Sequence, residues 1–93
     1  MSEAFIVDAV RSPMGRFRGG LSEFHPVDLG AEVIQGLMER VAVDPADVDD
    51  VIWGCVGQIG AQAFNVGRNC WLAAGFDEGV PAVTLDRQCG SSQ

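Results

Sequence analysis

The chain has 93 residues, 13 acids against six bases, a net charge of -7 and 47% hydrophobic residues, a composition that excludes an intrinsically disordered tail. One small domain is expected, burying roughly 60 to 65% of the surface its unfolded chain exposes, so its stability without a partner is marginal. All six bases are Arg, and the missing lysine excludes a P-loop phosphate site and Schiff-base chemistry.

The acidity is concentrated. Residues 1–20 carry +1, residues 21–50 carry -7 and residues 51–93 carry -1, which reads as one solvated helix face. There is no basic stripe for nucleic acid, and the net charge opposes phosphate backbones and anionic lipid. At the start, Glu3 stands where a signal peptide needs a base, and the apolar run breaks at Asp8, so no export signal is expected. Val51 to Gly67 is free of charge, but Gln58, Gln62, Asn65 and four glycines interrupt it. It is too polar and too short for a bilayer span and reads as protein interior. Cys55, Cys70 and Cys89 are spaced 15 and 19 apart, which gives neither a metal clip nor an even disulfide framework. Reduced thiols in a cytoplasmic protein are expected, with no metal.

In chain order, Ala4 to Val10 is a short, nearly continuous apolar run that suits an interior strand. Met14 to Phe24, with Gly15, Gly19 and Gly20 among Arg16 and Arg18, reads as an irregular loop. Pro26 suits a first helical position and Asp28 favours the positive end of a helix dipole. Leu29, Val33, Leu37 and Val41 recur every four residues with Ile34 and Met38 beside them, predicting a helix from Pro26 to about Val41. Asp44-Pro45 starts a capped single turn. Val51 to Val56 is β-branched, aromatic and apolar, a second buried strand. Val66, Cys70, Trp71 and Ala74 have helical spacing within Asn65 to Ala74, and Gly75 stands where a C′ glycine stops a helix. Pro81 to Leu85 reads as a third strand leading into Cys89-Gly90-Ser91-Ser92-Gln93. The order β-α-β-α-β is that of a layered α/β fold with a mixed, mainly parallel sheet. The small residues after Cys89 would open a helix that nothing completes, so the chain is expected to be the front piece of something larger, incomplete alone.

Three stretches together carry a family resemblance. Arg11-Ser12-Pro13-Met14-Gly15-Arg16-Phe17 with Gly20-Leu21 and Asp28-Leu29-Gly30 resembles the opening of thiolases. Gly54-x-Val56-x-Gln58 through Asn65-x-x-Arg68 and Ala74-Gly75 resembles their second strand and helix, and Asp86-Arg87-Gln88-Cys89-Gly90-Ser91 resembles their nucleophile turn. The resemblance covers essentially all of residues 1–93 and implies the first part of a thiolase N-terminal domain in a five-layered αβαβα subunit. It implies an acyltransferase of lipid and fatty acid metabolism that passes acyl groups between coenzyme A and an enzyme cysteine, with CoA and acyl-CoA as substrates and no permanently bound cofactor. The remainder of the chain or a complementary subunit is implied as a partner, in a homodimer or tetramer. Cys89 occupies the position of the acylated cysteine. His25, the only histidine, stands where thiolases place no catalytic residue. Two positions depart from the family: Ser92 stands where a glycine is usual, and Ala63-Phe64-Asn65 replaces a common Gly-Gln-Asn, which implies a changed acyl-chain preference.

The thiolate is the nucleophile, and a free thiol of pKa about 8.5 is only about 3% ionised at pH 7. A helix-opening turn after the cysteine would contribute on the order of 1 kcal/mol, with the rest required from a base outside this chain. Backbone N–H groups at Cys89 and Gly90 are candidates for holding the developing oxyanion. Cys55 in an apolar strand and Cys70 on an apolar helix face read as structural, as do Asn65 and Arg68 near a subunit interface and Trp53 and Trp71 in the core. Arg11, Arg16 and Arg18 could form a CoA phosphate clamp, but arginines in a Gly-rich loop read first as a solvated or interface segment. A papain-type reading of Cys-Gly-Ser fails because Ser92 and Gln93 replace Cys and Trp. A ketoacyl-synthase-like condensing enzyme shares the cysteine turn but matches Arg11 to Phe17 poorly. A non-catalytic thiolase-like scaffold that binds acyl or lipid groups is the alternative from another class, with Ser92 and Phe64 as its hints.

Overall fold

His25 and Pro26 start the first helix. The histidine Nδ1 accepts the Val27 N–H at 3.2 Å, and Pro26 occupies a position whose amide needs no partner. A computed structural model describes residues 3–93. From Pro26 the helix α1 runs to Arg40, with Asp28 in its first turn and Arg40 in its last, where the helix dipole favours each charge. Asp44 caps a short 3-10 turn over Pro45–Asp47, accepting from the Ala46 N–H at 3.0 Å. The chain then enters strand β1, Val51–Gly54. A second 3-10 turn, Gly60–Gln62, precedes helix α2, Val66–Ala73. Gly75, at φ +87°, stops α2 in the left-handed conformation that a C′ glycine adopts freely. Strand β2, Ala82–Leu85, follows.

The two strands pair in parallel, with Val51 opposite Ala82 and Gly54 opposite Leu85. The ladder is extended by Val51 N–H donating to Pro81 C=O at 3.0 Å and Cys55 N–H to Leu85 C=O at 2.9 Å. This is the β-α-β unit expected from the second strand onward, since parallel neighbours need a crossover and α2 supplies it. The expected Val51–Val56 strand is shorter than predicted, because pairing ends at Gly54.

The core joins α1 and α2 through Ala31, Ile34, Val66, Cys70, Trp71, Ala74 and Val80, with Val51 and Trp53 of β1 packed against it. On α1 the buried side differs from the predicted stripe. Gly30, Ala31 and Ile34 are buried and Val27 and Met38 pack beside them, whereas Leu29, Val33 and Leu37 are only half-buried. The reason is close approach: a Cβ on Gly30 would collide with Cys70 Sγ and stand 3.1 Å from the Trp53 ring. Small residues let α1 approach α2 more closely than the larger leucines would. Trp71 packs against Phe76 with ring centroids 4.9 Å apart and the rings tilted by 50°, and donates its indole N–H to Asp77 C=O at 2.8 Å.

The expected first strand is not formed. Residues 4–10 are without ladder partners, and Ile6 is 94% exposed. Apolarity alone cannot pair a strand, and no described strand runs beside this one to take its hydrogen bonds. Its side-chain hold on the rest is an ion pair, Asp8 with Arg40 Nε at 2.8 Å; the guanidinium holds the Asp8 carboxyl below its ordinary value. An exposed pair of this kind contributes little to stability. The described sheet is two parallel strands with one helical layer against it, a small part of the five-layered subunit with a mixed sheet that the resemblance implies for the whole. The outer face of the two strands is bare: Ile52 is 66% exposed, and Val83 and Leu85 lie on the same side. An uncovered apolar face on a small two-stranded sheet is costly in water. The 93-residue chain produced on its own is therefore expected to melt in a broad, low-amplitude transition or to aggregate. A sharp calorimetric transition whose van't Hoff and calorimetric enthalpies agree would contradict this.

Candidate functional site

The C-terminal end of β2 delivers the chain into residues 86–93, where several local bonds shape the backbone. Asp86 Oδ1 accepts the Gln88 N–H at 2.9 Å, an Asx turn of the kind a short carboxylate forms. Gln88 sits at φ +53°, a left-handed conformation that costs roughly 1 to 2 kcal/mol for a residue with a side chain. Cys89 comes next and is exposed. Gly90 N–H then donates to Arg87 C=O at 3.1 Å, Ser91 N–H to Gln88 C=O at 3.2 Å and Gln93 N–H to Gly90 C=O at 3.0 Å. These are successive four-residue turns and not the α-helical start predicted from the small residues, so the helix-dipole contribution to Cys89 is absent from the described residues. The Gly90 amide, predicted as oxyanion support, is engaged in the turn. The Cys89 amide has no acceptor among the described residues.

What seats this turn is the end of β1. A Cβ on Gly54 would collide with Ser92 N and Ser92 Oγ and with the Ser91 carbonyl carbon. Gly54 was visible in the sequence only as part of a family pattern; its role emerges from the packing. Gly90 is different. A Cβ there would stand 3.6 Å from Arg87 C=O, an ordinary contact, so nothing described requires glycine at that position. Ser92, which departs from the family, lies with its backbone against Gly54, so the close approach associated with a glycine in the turn is provided from the strand side. Beside the turn an open hollow of about 600 Å³ is lined by Ile52, Leu85, Arg87, Gly90, Ser91, Ser92 and Gln93. Cys89 is not in its lining.

The other two cysteines stand apart in environment. Cys70 is fully buried, and burial pushes its thiol up from the ordinary value, with the nearby Cys55 adding to the effect. Cys55 is half-buried just past β1, its Sγ 3.4 Å from Gln62 Nε2 and 3.6 Å from Gly57 C=O.

Asn65 and Arg68 hold the frame of the site. Asn65, at φ +57°, caps α2 by accepting the Arg68 N–H at 3.3 Å, accepts the Thr84 hydroxyl at 2.7 Å and donates to Ala82 C=O at 3.0 Å. Thr84 Oγ1 in turn accepts the Gly67 N–H at 3.0 Å. The Arg68 guanidinium donates to Glu78 C=O at 2.8 Å and to Val80 C=O. Both residues therefore have structural hydrogen-bond roles, tying α2 to β2 and its approach loop. Phe64, also left-handed at φ +59°, is 94% exposed. His25 caps α1, and Arg11, Arg16 and Arg18 are exposed, with Arg18 stacked 4.9 Å from the Phe17 ring centroid.

Residues 4–93 match the family model "Thiolase, N-terminal domain". The chain belongs to the thiolase N-terminal domain family. It is 59% identical over 93 residues to the steroid 3-ketoacyl-CoA thiolase FadA6 of Mycobacterium tuberculosis, covering 100% of this chain and 23% of that protein. It is 52% identical over 93 residues to a beta-ketoadipyl-CoA thiolase of Acinetobacter baylyi, covering 99% of this chain and 23% of the relative. The crystal structure of the Bacillus anthracis acetyl-CoA acetyltransferase matches with a TM-score of 0.80 at 44% identity, over 88% of this chain and 21% of that one. The chain thus spans about a quarter of the length of the curated relatives it matches. Among the described residues, no helix is long and apolar enough to cross a membrane.

The three thiol environments predict an order of reaction. In the native protein, limiting iodoacetamide at pH 7 is expected to modify Cys89 first, Cys55 slowly and Cys70 only after denaturation. Equal labelling of all three in a peptide map would contradict the geometry.

Proposed function

We propose that this thiolase segment carries the nucleophile for acyl transfer between coenzyme A and a 3-ketoacyl or acyl substrate, with Cys89 forming the thioester. The observation that carries the proposal is that Cys89 is the exposed thiol of the three, held in a fixed turn beyond the C-terminal end of a parallel strand. Open α/β sheets favour that end for their ligand sites.

In the thiolytic direction the Cys89 thiolate attacks the 3-keto carbonyl carbon, forming a C–S bond and a tetrahedral oxyanion. Collapse of that oxyanion breaks the bond between the α and β carbons; the departing acetyl-CoA carbanion takes up a proton, and the shortened acyl group remains on Cys89. The thiol of a second CoA, losing its proton to a base, attacks the acyl-cysteine and releases the shortened acyl-CoA and the Cys89 thiolate. Claisen condensation runs the same bonds in reverse. The unengaged Cys89 N–H supports the oxyanion first; Gly90 joins it by giving up its bond to Arg87. His25 is the only histidine and caps α1, so the base, the acid and most of the CoA site come from further polypeptide, either continuous with this chain or supplied as a complementary subunit. The same polypeptide covers the bare face of the sheet. We assign residues 1–93 to the first part of the N-terminal domain of a homodimeric or tetrameric assembly, acting on 3-ketoacyl-CoA substrates like those named for its relatives.

Incubation of the native, full-length protein with acetyl-CoA is expected to add about 42 Da, the mass of an acetyl group replacing a proton, to the peptide containing Cys89. Cys89→Ser is expected to lose this adduct and to lower turnover by at least about 10²- to 10⁴-fold, since the alcohol does not ionise where the thiol nucleophile does. An adduct mapped to Cys55 or Cys70 would move the nucleophile elsewhere, and binding of acetyl-CoA with no adduct would favour a non-catalytic scaffold.

A further inference from the structure

Ser91 is the buried polar residue among those described, at 8% exposure. Its hydroxyl is satisfied twice, and both partners lie in the two residues before Cys89. It accepts the Arg87 N–H at 2.9 Å and donates to Gln88 C=O at 2.7 Å. One side chain thus ties the segment entering Cys89 to the segment leaving it.

The tie has something to resist. Gln88 is held at φ +53°, a conformation that persists in a residue with a side chain only when its surroundings over-determine it. Three bonds do so: Asp86 Oδ1 takes the Gln88 N–H, and the Gln88 carbonyl accepts both the Ser91 hydroxyl and the Ser91 N–H. The direction in which the chain presents Cys89 follows from the Gln88 dihedral. Without the hydroxyl, the Arg87 N–H loses its partner, the Gln88 carbonyl keeps only the longer bond from Ser91 N–H at 3.2 Å beside the Asp86 bond to the Gln88 N–H, and relaxation out of the left-handed region swings the next residue.

We propose that Ser91 is a positioning residue for acylation: its hydroxyl locks the left-handed Gln88 and thereby aims Cys89 and its free N–H at the carbonyl under attack. The proposal rests on Cys89 being the nucleophile. Ser91 makes no contact with substrate in this account, so its loss lowers the rate of acylation while leaving acyl-CoA binding intact. Displacement of a reacting group by about 1 Å costs on the order of 100-fold in rate.

The test uses the native, full-length protein in three forms, wild type, Ser91→Ala and Ser91→Thr, with single-turnover acetylation of Cys89 by acetyl-CoA read by mass. Each rate is normalised to the folded fraction from a thermal melt. Ser91→Ala is expected to slow acetylation at saturating acetyl-CoA by about 10- to 100-fold, with the half-saturating concentration changed less than about twofold. Ser91→Thr, which keeps the hydroxyl, is expected to recover most of the rate. Ser91→Ala acetylating at the wild-type rate per folded molecule overturns the proposal, as does a rise in half-saturating concentration that accounts for the whole defect. Absence of any Cys89 adduct in the wild type would remove the nucleophile reading itself, an outcome distinguishable from wild-type chemistry that survives the loss of the hydroxyl.

Discussion

The site depends on one close contact, between the Cα of Gly54 at the end of β1 and the backbone of Ser91 and Ser92 in the turn after β2. A strand end with any side chain would push that turn away, because the missing Cβ is what leaves room for Ser92 N and Ser91 C. The contact makes the parallel pair more than a scaffold. Register places Gly54 opposite Leu85, so the same ladder that aligns the two strands also sets where the turn begins.

Glycines at two other positions carry this constraint back through the core. Gly67 lets α2 lie directly on Trp53, where a Cβ would collide with the Trp53 Cβ, and Gly30 does the same for α1 against Cys70. The path from α1 through α2 to β1 and the cysteine turn is thus a sequence of backbone-to-side-chain approaches with no slack for an added methyl group, and overpacking of such contacts typically costs about 1 to 3 kcal/mol. The Asn65, Thr84 and Gly67 hydrogen bonds then fix the start of α2 to β2. The frame around Cys89 is close-packed on the helical side and open on the other, where Ile52 is exposed.

Much of this frame was readable from residue order. Pro26 and Asp28 marked the start of α1, Asp44-Pro45 the short turn, Gly75 the stop of α2, and the β-branched runs the two strands that pair. Cys89 was singled out by its place after a strand and by the family pattern around it. The parts that were not readable have physical reasons. The run Ala4 to Val10 is apolar enough for a sheet interior, but strand formation needs a neighbour, and sequence carries no mark of which neighbour is present. The buried face of α1 moved off the leucine stripe because a glycine, invisible to a hydrophobicity count, permits the tighter approach. The turn after Cys89 looked like a helix start, whereas the left-handed Gln88 and the Ser91 hydroxyl set up successive tight turns. Glutamine does not announce a left-handed backbone, and a serine beside glycine suits a helix start as well as a turn.

The central claim, that the seat at Gly54 determines the chemistry at Cys89, is tested most directly by the rate of Cys89 acetylation in the native protein carrying Gly54→Ala, measured per folded molecule beside Gly36→Ala. A Cβ on Gly36 meets nothing within 4 Å, and alanine in a helix is about 0.5 to 1 kcal/mol more favourable than glycine, so that variant is expected to acetylate at the wild-type rate. Gly54→Ala is expected to be slower by about tenfold or more, because the turn that aims the thiol is displaced. Wild-type acetylation by Gly54→Ala would contradict the account.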